Sequence, residues 1–237
     1  MLEIDELCVR RPGFALHLAD RRLAAGTRLT IIGPSGGGKS TLLRGLLGLE
    51  PSVRLRGLRW LGADLAALPV HRRPFGWLPQ ELGLWPQLKA IEHVAFARTR
   101  GRQLRAAAED ETLLHELGIG HRARALPAQM SGGERQRLAF ARVIAQRPAW
   151  AVLDEPFSNL DPVIADELGD AFFALARERG MGLIQVTHQV GRHQRTARDD
   201  EPFWVIEAGR LTQAGRWDEL QRQPATPWIE RFVALQH

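Results

Sequence analysis

The chain has a single cysteine, Cys8, no tyrosine, and no apolar run long enough to cross a bilayer. One cysteine excludes an intrachain disulfide framework and fits a reducing compartment. Without a membrane span, the chain is not expected to carry a solute through a bilayer by itself. The opening residues, MLEIDELCVRRPG, are too acidic and too short in apolar run for a secretory signal, so a cytoplasmic location is expected. Internal repeats and low-complexity tracts are also lacking, as is any aromatic-interleaved pattern of the kind that binds RNA. Otherwise the composition is that of a globular protein. The 237 residues are 44% apolar and 25% charged, enough to bury a core. The formal charge of +5, mostly from arginine, permits an anionic partner but is more simply read as solvated helix faces.

Four short apolar runs end abruptly in polar or glycine residues. TRLTIIG leads into Pro34-Ser35, PFGWLP into Gln80, WAVL into Asp154-Glu155, and GLIQVT into His188. Each has strand length. Helical patterns at 39–47, 104–117, 134–146 and 162–179 lie among them. Strands alternating with helices predict an α/β fold whose mainly parallel sheet is covered on both faces. Ligands of such sheets sit at the carboxyl ends of the strands, so the loop at 33–41, Gln80, Asp154-Glu155 and His188 are expected to converge on one edge. LEIDELCV and FALHLA alternate with period two and predict an antiparallel flank. FWVIEAGRLTQAG predicts a hairpin about Ala208-Gly209, with short helices after it. Residues 85–147 read as helical, most clearly at LRAAAEDETLLHELG. They are expected to form a small helical domain inserted into a core made of 1–84 and 148–237.

The residues Gly33, Pro34, Ser35, Gly36, Gly37, Gly38, Lys39 and Ser40, followed by Thr41, fit G-x-x-x-x-G-K-[ST] between a strand and a helix. The glycines let successive backbone N–H groups turn inward, and the helix N-terminus adds positive potential for phosphate. Lys39 would reach the β- and γ-phosphates of a nucleotide, and the Ser40 hydroxyl would help hold Mg²⁺. In WAVLDEP, Asp154 is placed to hold Mg²⁺, and Glu155 to orient or deprotonate a water attacking the γ-phosphate. Gln80 and His188 are weak signals alone, a loop residue and a structural histidine by the plainer explanation. On the expected ligand edge, Gln80 would ligate Mg²⁺ or the attacking water, and His188 would donate to the γ-phosphate.

MSGGERQR at 130–137 first reads as a capping box, Ser131 accepting from the backbone of Glu134, which reaches back. That leaves Gly132 and Gly133 unexplained, because glycine weakens the first turn of a helix. Two glycines there leave bare N–H groups at a positive helix end, a second anion site with no ligand of its own.

MSGGERQR resembles the signature sequence of ATP-binding-cassette (ABC) ATPases, with Met130 where leucine is usual. The other parts follow in family order: the P-loop, Gln80, the Walker B strand ending in Asp154 and Glu155, the D-loop SNLD at 158–161, and His188. The resemblance covers nearly the whole chain. It implies a P-loop NTPase core of RecA-like type, a cytoplasmic ATPase on the inner face of the cell membrane, and ATP and Mg²⁺ as cofactors. It also implies a head-to-tail homodimer or pseudo-dimer, in which Ser131, Gly132, Gly133 and Glu134 of one copy complete the ATP site of the other and Asp161 lies at the seam. The second anion site then borrows its ligand from the partner. A separate permease is implied, docking near Leu84, Trp85 and Leu88, together with a solute-binding protein for an importer. Importer subunits of the iron, thiamine, polyamine, molybdate and sulfate type are the most similar. Two positions depart from the family. The adenine-stacking tyrosine is missing, leaving Arg11 or Phe14 to take its place. The acidic residue expected soon after the switch histidine is absent from THQVGRHQRTARDD. An ABC-type ATPase acting on nucleic acid or ribosomes is the alternative; with one cassette and no sustained heptads, nucleic acid is not expected as a partner. A small-molecule P-loop kinase would leave SGGERQR unexplained.

Overall fold

The computed structural model describes residues 1–158, 160–188, 190 and 201–236. Strands β1 (Leu2–Arg11), β2 (Phe14–Leu23), β4 (Val53–Trp60) and β5 (Ala63–Asp64) form an antiparallel flank. Strands β3 (Arg28–Ile32), β6 (Phe75–Leu78), β7 (Trp150–Asp154), β8 (Gly182–Val186) and β9 (Phe203–Glu207) run parallel, and β10 (Arg210–Gly215) folds back on β9. Among the described residues these strands make one sheet in the order β5-β4-β1-β2-β10-β9-β3-β8-β7-β6. Strands β3, β7, β8 and β9 are buried nearly throughout, as their mainly apolar runs require, whereas the edge strand β6 is half-buried at Phe75 and Trp77. In β1 and β2, buried leucines and valines instead alternate with exposed or half-buried residues.

The described α-helices are α1 (Lys39–Leu47), α2 (Ala90–Arg98), α3 (Ala108–Glu116), α4 (Gly132–Ala145), α5 (Pro162–Glu178), α6 (Trp217–Arg222) and α7 (Pro227–Ala234). Two expected starts move. The helix read from residue 104 begins at Ala108, where the Asp110 carboxylate accepts the Ala107 N–H at 2.7 Å and sets the first turn. The helix read from residue 134 begins at Gly132, because the Ser131 cap outweighs the low propensity of the two glycines. Strands β4 and β5 went unread. The alternation of half-buried Val53 and Leu55 with exposed Arg54 and Arg56 shifts phase at Gly57, φ 57°, before Leu58 and Trp60.

One apolar cluster runs from Val94, Leu114 and Phe140 in the helices into Leu78 and Leu153 of the sheet and Phe172 of α5. The Phe140 ring lies 4.3 Å from Phe172 and 5.4 Å from Phe157, centroid to centroid. A second cluster joins Leu7 and Val9 of the flank to Leu43 of α1 and Ile31, Trp150 and Ile206. A third seals α6 and α7 on Phe203 and Val205.

The β9–β10 turn is the tight one. Ala208 and Gly209 both have positive φ, 47° and 75°, the conformation of a type I′ hairpin. A Cβ on Gly209 would sit 1.8 Å from the Ala15 carbonyl oxygen. Its N–H donates to the Gly37 carbonyl at 2.9 Å, and its own carbonyl accepts from His17 at 2.9 Å. The hairpin thereby pins the glycine loop to the flank. Phe140→Ala is expected to cost about 3–5 kcal/mol, read as a lower unfolding midpoint in denaturant.

Candidate functional site

The sheet register builds the site. Leu78 pairs with Leu153, and Asp154 with Val186, so β6, β7 and β8 run out nearly together. The residues just beyond their ends are Gln80, Glu155 and His188. Glu155 leaves the strand with a φ of 49°, uncommon for a non-glycine residue, and its N–H donates to the Val186 carbonyl at 3.0 Å. That turn sends consecutive carboxylates to different partners. Asp154, buried, accepts from the Ser40 hydroxyl at 3.0 Å. Glu155 lies 2.7 Å from His188 Nε2 through one oxygen and accepts from Gln80 Nε2 at 3.4 Å through the other. Burial raises the Asp154 carboxyl above the usual range, with the Ser40 hydrogen bond opposing.

The loop between β3 and α1 wraps the other side. Gly38 caps α1 with φ 105°, and a Cβ there would meet Phe14 Cζ at 2.9 Å and Leu16 Cδ1 at 3.0 Å. The Lys39 ammonium donates to the carbonyls of Gly33 and Pro34, each at 2.8 Å. It is 5% exposed, and burial holds its pKa below the ordinary lysine value against the pull of Glu155 and Asp154.

Between the loop and the strand ends lies a cleft of about 550 Å³, lined by Arg11, Phe14, Ser35, Gly36, Gly38, Lys39, Ser40, Thr41, Arg44, Gln80, Glu155 and His188. Of the residues expected from the sequence, Ser35, Gly36, Gly38 to Thr41, Gln80, Glu155 and His188 meet there; Gly33, Pro34 and Gly37 of the loop do not line the cleft, and Asp154 is bonded to Ser40 beside it. Both candidates for stacking a base line the cleft. The Arg11 guanidinium is tied to Glu50 and Ser52, whereas Phe14 packs on the glycine loop. Arg44 was missed: it sits one helical turn beyond Ser40, and i, i+4 spacing would have placed it on the same face.

Ser131, Gly132, Gly133, Glu134 and Asp161 do not line this cleft. Ser131 and Gly132 are exposed, and Asp161 caps α5 by accepting from Val163 at 2.9 Å. The capping box is present in full: Ser131 Oγ accepts from Glu134 N at 3.2 Å, and Glu134 Oε2 from Ser131 N at 2.8 Å. Arg122 donates to Glu134 at 2.7 Å, and this partner, with the Ser131 N–H, lowers the carboxyl to about 2. Two further residues of α4 went unread. Gln136, buried, donates to the Pro156 carbonyl beside Glu155. Arg142 donates to the carbonyls of Leu82 and Gly83 and lies over the Trp85 ring at 5.2 Å; burial lowers its pKa to about 10. Of the apolar residues after Gln80, Leu84 and Leu88 are half-buried, and Trp85 is 37% exposed. Asn159 of the D-loop and most of the stretch after His188, including the position of the missing acidic residue, lie outside the described residues.

A glycine loop on a helix N-terminus, facing two carboxylates at the ends of parallel strands, defines a P-loop nucleotide-binding protein. Residues 16–158 match the family described as ABC transporter. The chain is 35% identical over 224 residues to the sulfate/thiosulfate import ATP-binding protein CysA of Nephroselmis olivacea, covering 92% of this chain and 63% of that protein. It is 35% identical over 233 residues to the glutamine transport ATP-binding protein GlnQ of Escherichia coli K12, covering 95% and 94%. It is 34% identical over 238 residues to the Fe(3+) ions import ATP-binding protein FbpC of Streptomyces avermitilis, covering 99% and 68%. The chain thus spans somewhat less than two thirds of the sulfate relative's length. The fold is that of a solved ATP-binding subunit of an ABC transporter, with TM-score 0.79 at 24% identity over 100% of this chain and 99% of the other. It is also that of a dimeric ATP-binding cassette solved with ADP and Pi, with TM-score 0.69 at 23% identity over 91% and 97%. This chain belongs to the ABC transporter family.

Glu134 provides a pH test. Its folded pKa, about 2 against an ordinary 4.5, makes the stability it contributes fully present above the ordinary value and lost as pH falls toward the folded one. Glu134→Gln is expected to lower the denaturant midpoint near neutral pH. The gap to wild type should close between pH 4.5 and about 2.

Proposed function

We propose that this chain is the ATP-hydrolysing subunit of a bacterial importer, working on the cytoplasmic face of the inner membrane. The observation that carries the reading is the Glu155 carboxylate held between His188 Nε2 at 2.7 Å and Gln80 Nε2 at 3.4 Å, across a cleft from the Lys39 loop. A carboxylate so held can take a proton from a water aimed at a γ-phosphate, while the single Nε2–H of His188 either holds that carboxylate or turns to donate to the phosphate. Lys39 and the N–H groups of the loop bind the phosphates and neutralise their charge. Phe14, against the loop, supplies an aromatic surface for the base in a chain without tyrosine, with Arg11 beside it.

The donor set also suits a hard cation. Ser40 and Asp154 present a hydroxyl and a carboxylate 3.0 Å apart, and Gln80 adds an amide oxygen, all ligands of the kind Mg²⁺ prefers. Bound there, Mg²⁺ would supply charge neutralisation between the β- and γ-phosphates.

The exposed Ser131-Gly132-Gly133 turn at the start of α4 is read as the half-site for the ATP of a second cassette, in a homodimer or pseudo-dimer with Asp161 at its seam. Leu84, Trp85 and Leu88 are read as the permease contact, and a solute-binding protein would deliver the cargo. Residues 85–147 would move as the helical unit on a core of 1–84 and 148–237. No helix among the described residues is long and apolar enough to cross a membrane, which fits a separate permease. The relatives named above serve sulfate, glutamine and iron, so the solute is set outside the cassette. They are transport proteins, which favours transport over action on nucleic acid or ribosomes.

Glu155→Gln is expected to bind ATP and gather as an ATP-dependent dimer while phosphate release falls by about a hundredfold or more. Turnover like that of the wild type would remove Glu155 from the chemistry.

A further inference from the structure

On the outer face of the antiparallel flank, among residues that do not line the nucleotide cleft, three ligand-type side chains meet. Cys8 and His17 are direct partners across β1 and β2. Glu6 lies two residues before Cys8 and so shares its face of the strand. The intervening Leu7 and following Val9 are fully buried, which turns Glu6 and Cys8 outward; His17 is exposed between buried Leu16 and Leu18. Glu6 Oε1 accepts from Cys8 Sγ at 3.5 Å and stands 3.4 Å from His17 Nε2. The three ligand atoms lie within 4.8 Å of one another.

Bond lengths decide what such spacing fits. Zinc holds sulfur at about 2.3 Å and nitrogen or carboxylate oxygen at about 2.1 Å in a tetrahedron, which puts oxygen and nitrogen about 3.4 Å apart and oxygen and sulfur about 3.6 Å apart. The observed separations are 3.4 and 3.5 Å. We propose that Glu6, Cys8 and His17 form a three-ligand site for a thiophilic divalent cation of the zinc type, with the fourth position open to water.

The surrounding charge sharpens the choice of metal. Arg54 and Arg56 of β4 lie opposite Cys8 and Glu6, and Arg210 of β10 opposite His17. Arg56 approaches the other Glu6 oxygen, at 3.9 Å, leaving Oε1 for the ion. These arginines repel a weakly held cation, so the site disfavours Mg²⁺ and Ca²⁺ and favours a metal that bonds strongly to thiolate. A thiolate and a carboxylate together cancel the charge of the dication. The ion would also bridge the hairpin that carries Arg11 and Phe14 to the nucleotide cleft.

The test uses the full chain, stripped with chelator, titrated with Zn²⁺ against a chromogenic zinc indicator, and separately with Co²⁺. Wild type is expected to take up one zinc per chain at micromolar concentration and to show a thiolate-to-cobalt charge-transfer band. Cys8→Ser should lose that band, and both Cys8→Ser and His17→Ala should bind zinc about a hundredfold more weakly. His17 is exposed, so His17→Ala keeps the test decisive if Cys8→Ser disturbs β1. No stoichiometric uptake by wild type, or uptake unchanged in His17→Ala, would overturn the assignment. In either case Glu6, Cys8 and His17 are only a hydrogen-bonded surface group.

Discussion

The parallel register of β6, β7 and β8 is the constraint on which the rest of the site depends. Side chains alternate faces along a strand, so sliding β8 by one residue against β7 would carry His188 away from Glu155 and exchange the side chains packed on its two buried faces. The core therefore enforces the register that the chemistry needs. With Asp154 opposite Val186, the left-handed turn at Glu155 is held by its N–H bond to the Val186 carbonyl, and two adjacent acids serve two different partners. Separation of this kind keeps one carboxylate beside a hydroxyl and the other beside an amide and an imidazole.

Electrostatics complete what the register begins. The Lys39 ammonium and the N-terminus of α1 share the cleft with Glu155, while Asp154 is bonded to Ser40 beside it, so positive and negative groups meet there. Two of the three Lys39 donors are spent on the loop's own carbonyls, which holds the loop in shape around the charge. An anion entering there meets donors already aimed, and little reorganisation is required.

Much of this was legible in the sequence because it rests on local rules. The glycine loop, the acidic strand end and the capping box at Ser131 are each set by a few consecutive residues. Gln80 and His188 were legible only through the topology, since strands that end on one edge bring distant residues together. What escaped depends on contacts between elements. Gln136 and Arg142 look like ordinary polar residues of an amphipathic helix, and no pattern marks them as partners of carbonyls in other loops. The start of α3 escaped because an acceptor three residues into the helix, Asp110, outweighed the good helix formers before it. Strand β4 escaped because Gly57 shifts the phase of its alternation, and β5 because two residues carry no pattern.

Helix α4 has a mechanical consequence. It carries Ser131 at its tip, Gln136 midway against Pro156, and Arg142 near its far end gripping Leu82 and Gly83 under Trp85. Its 14 residues make a rod about 21 Å long, so a tilt of about 5° shifts one end by roughly 2 Å relative to the other. Such a rod is a lever whose fulcrum is the bond from the Gln136 side-chain amide to the carbonyl of Pro156, one residue past Glu155. A displacement at the Trp85 end and an opposite one at the serine turn would then be one motion of the same rod.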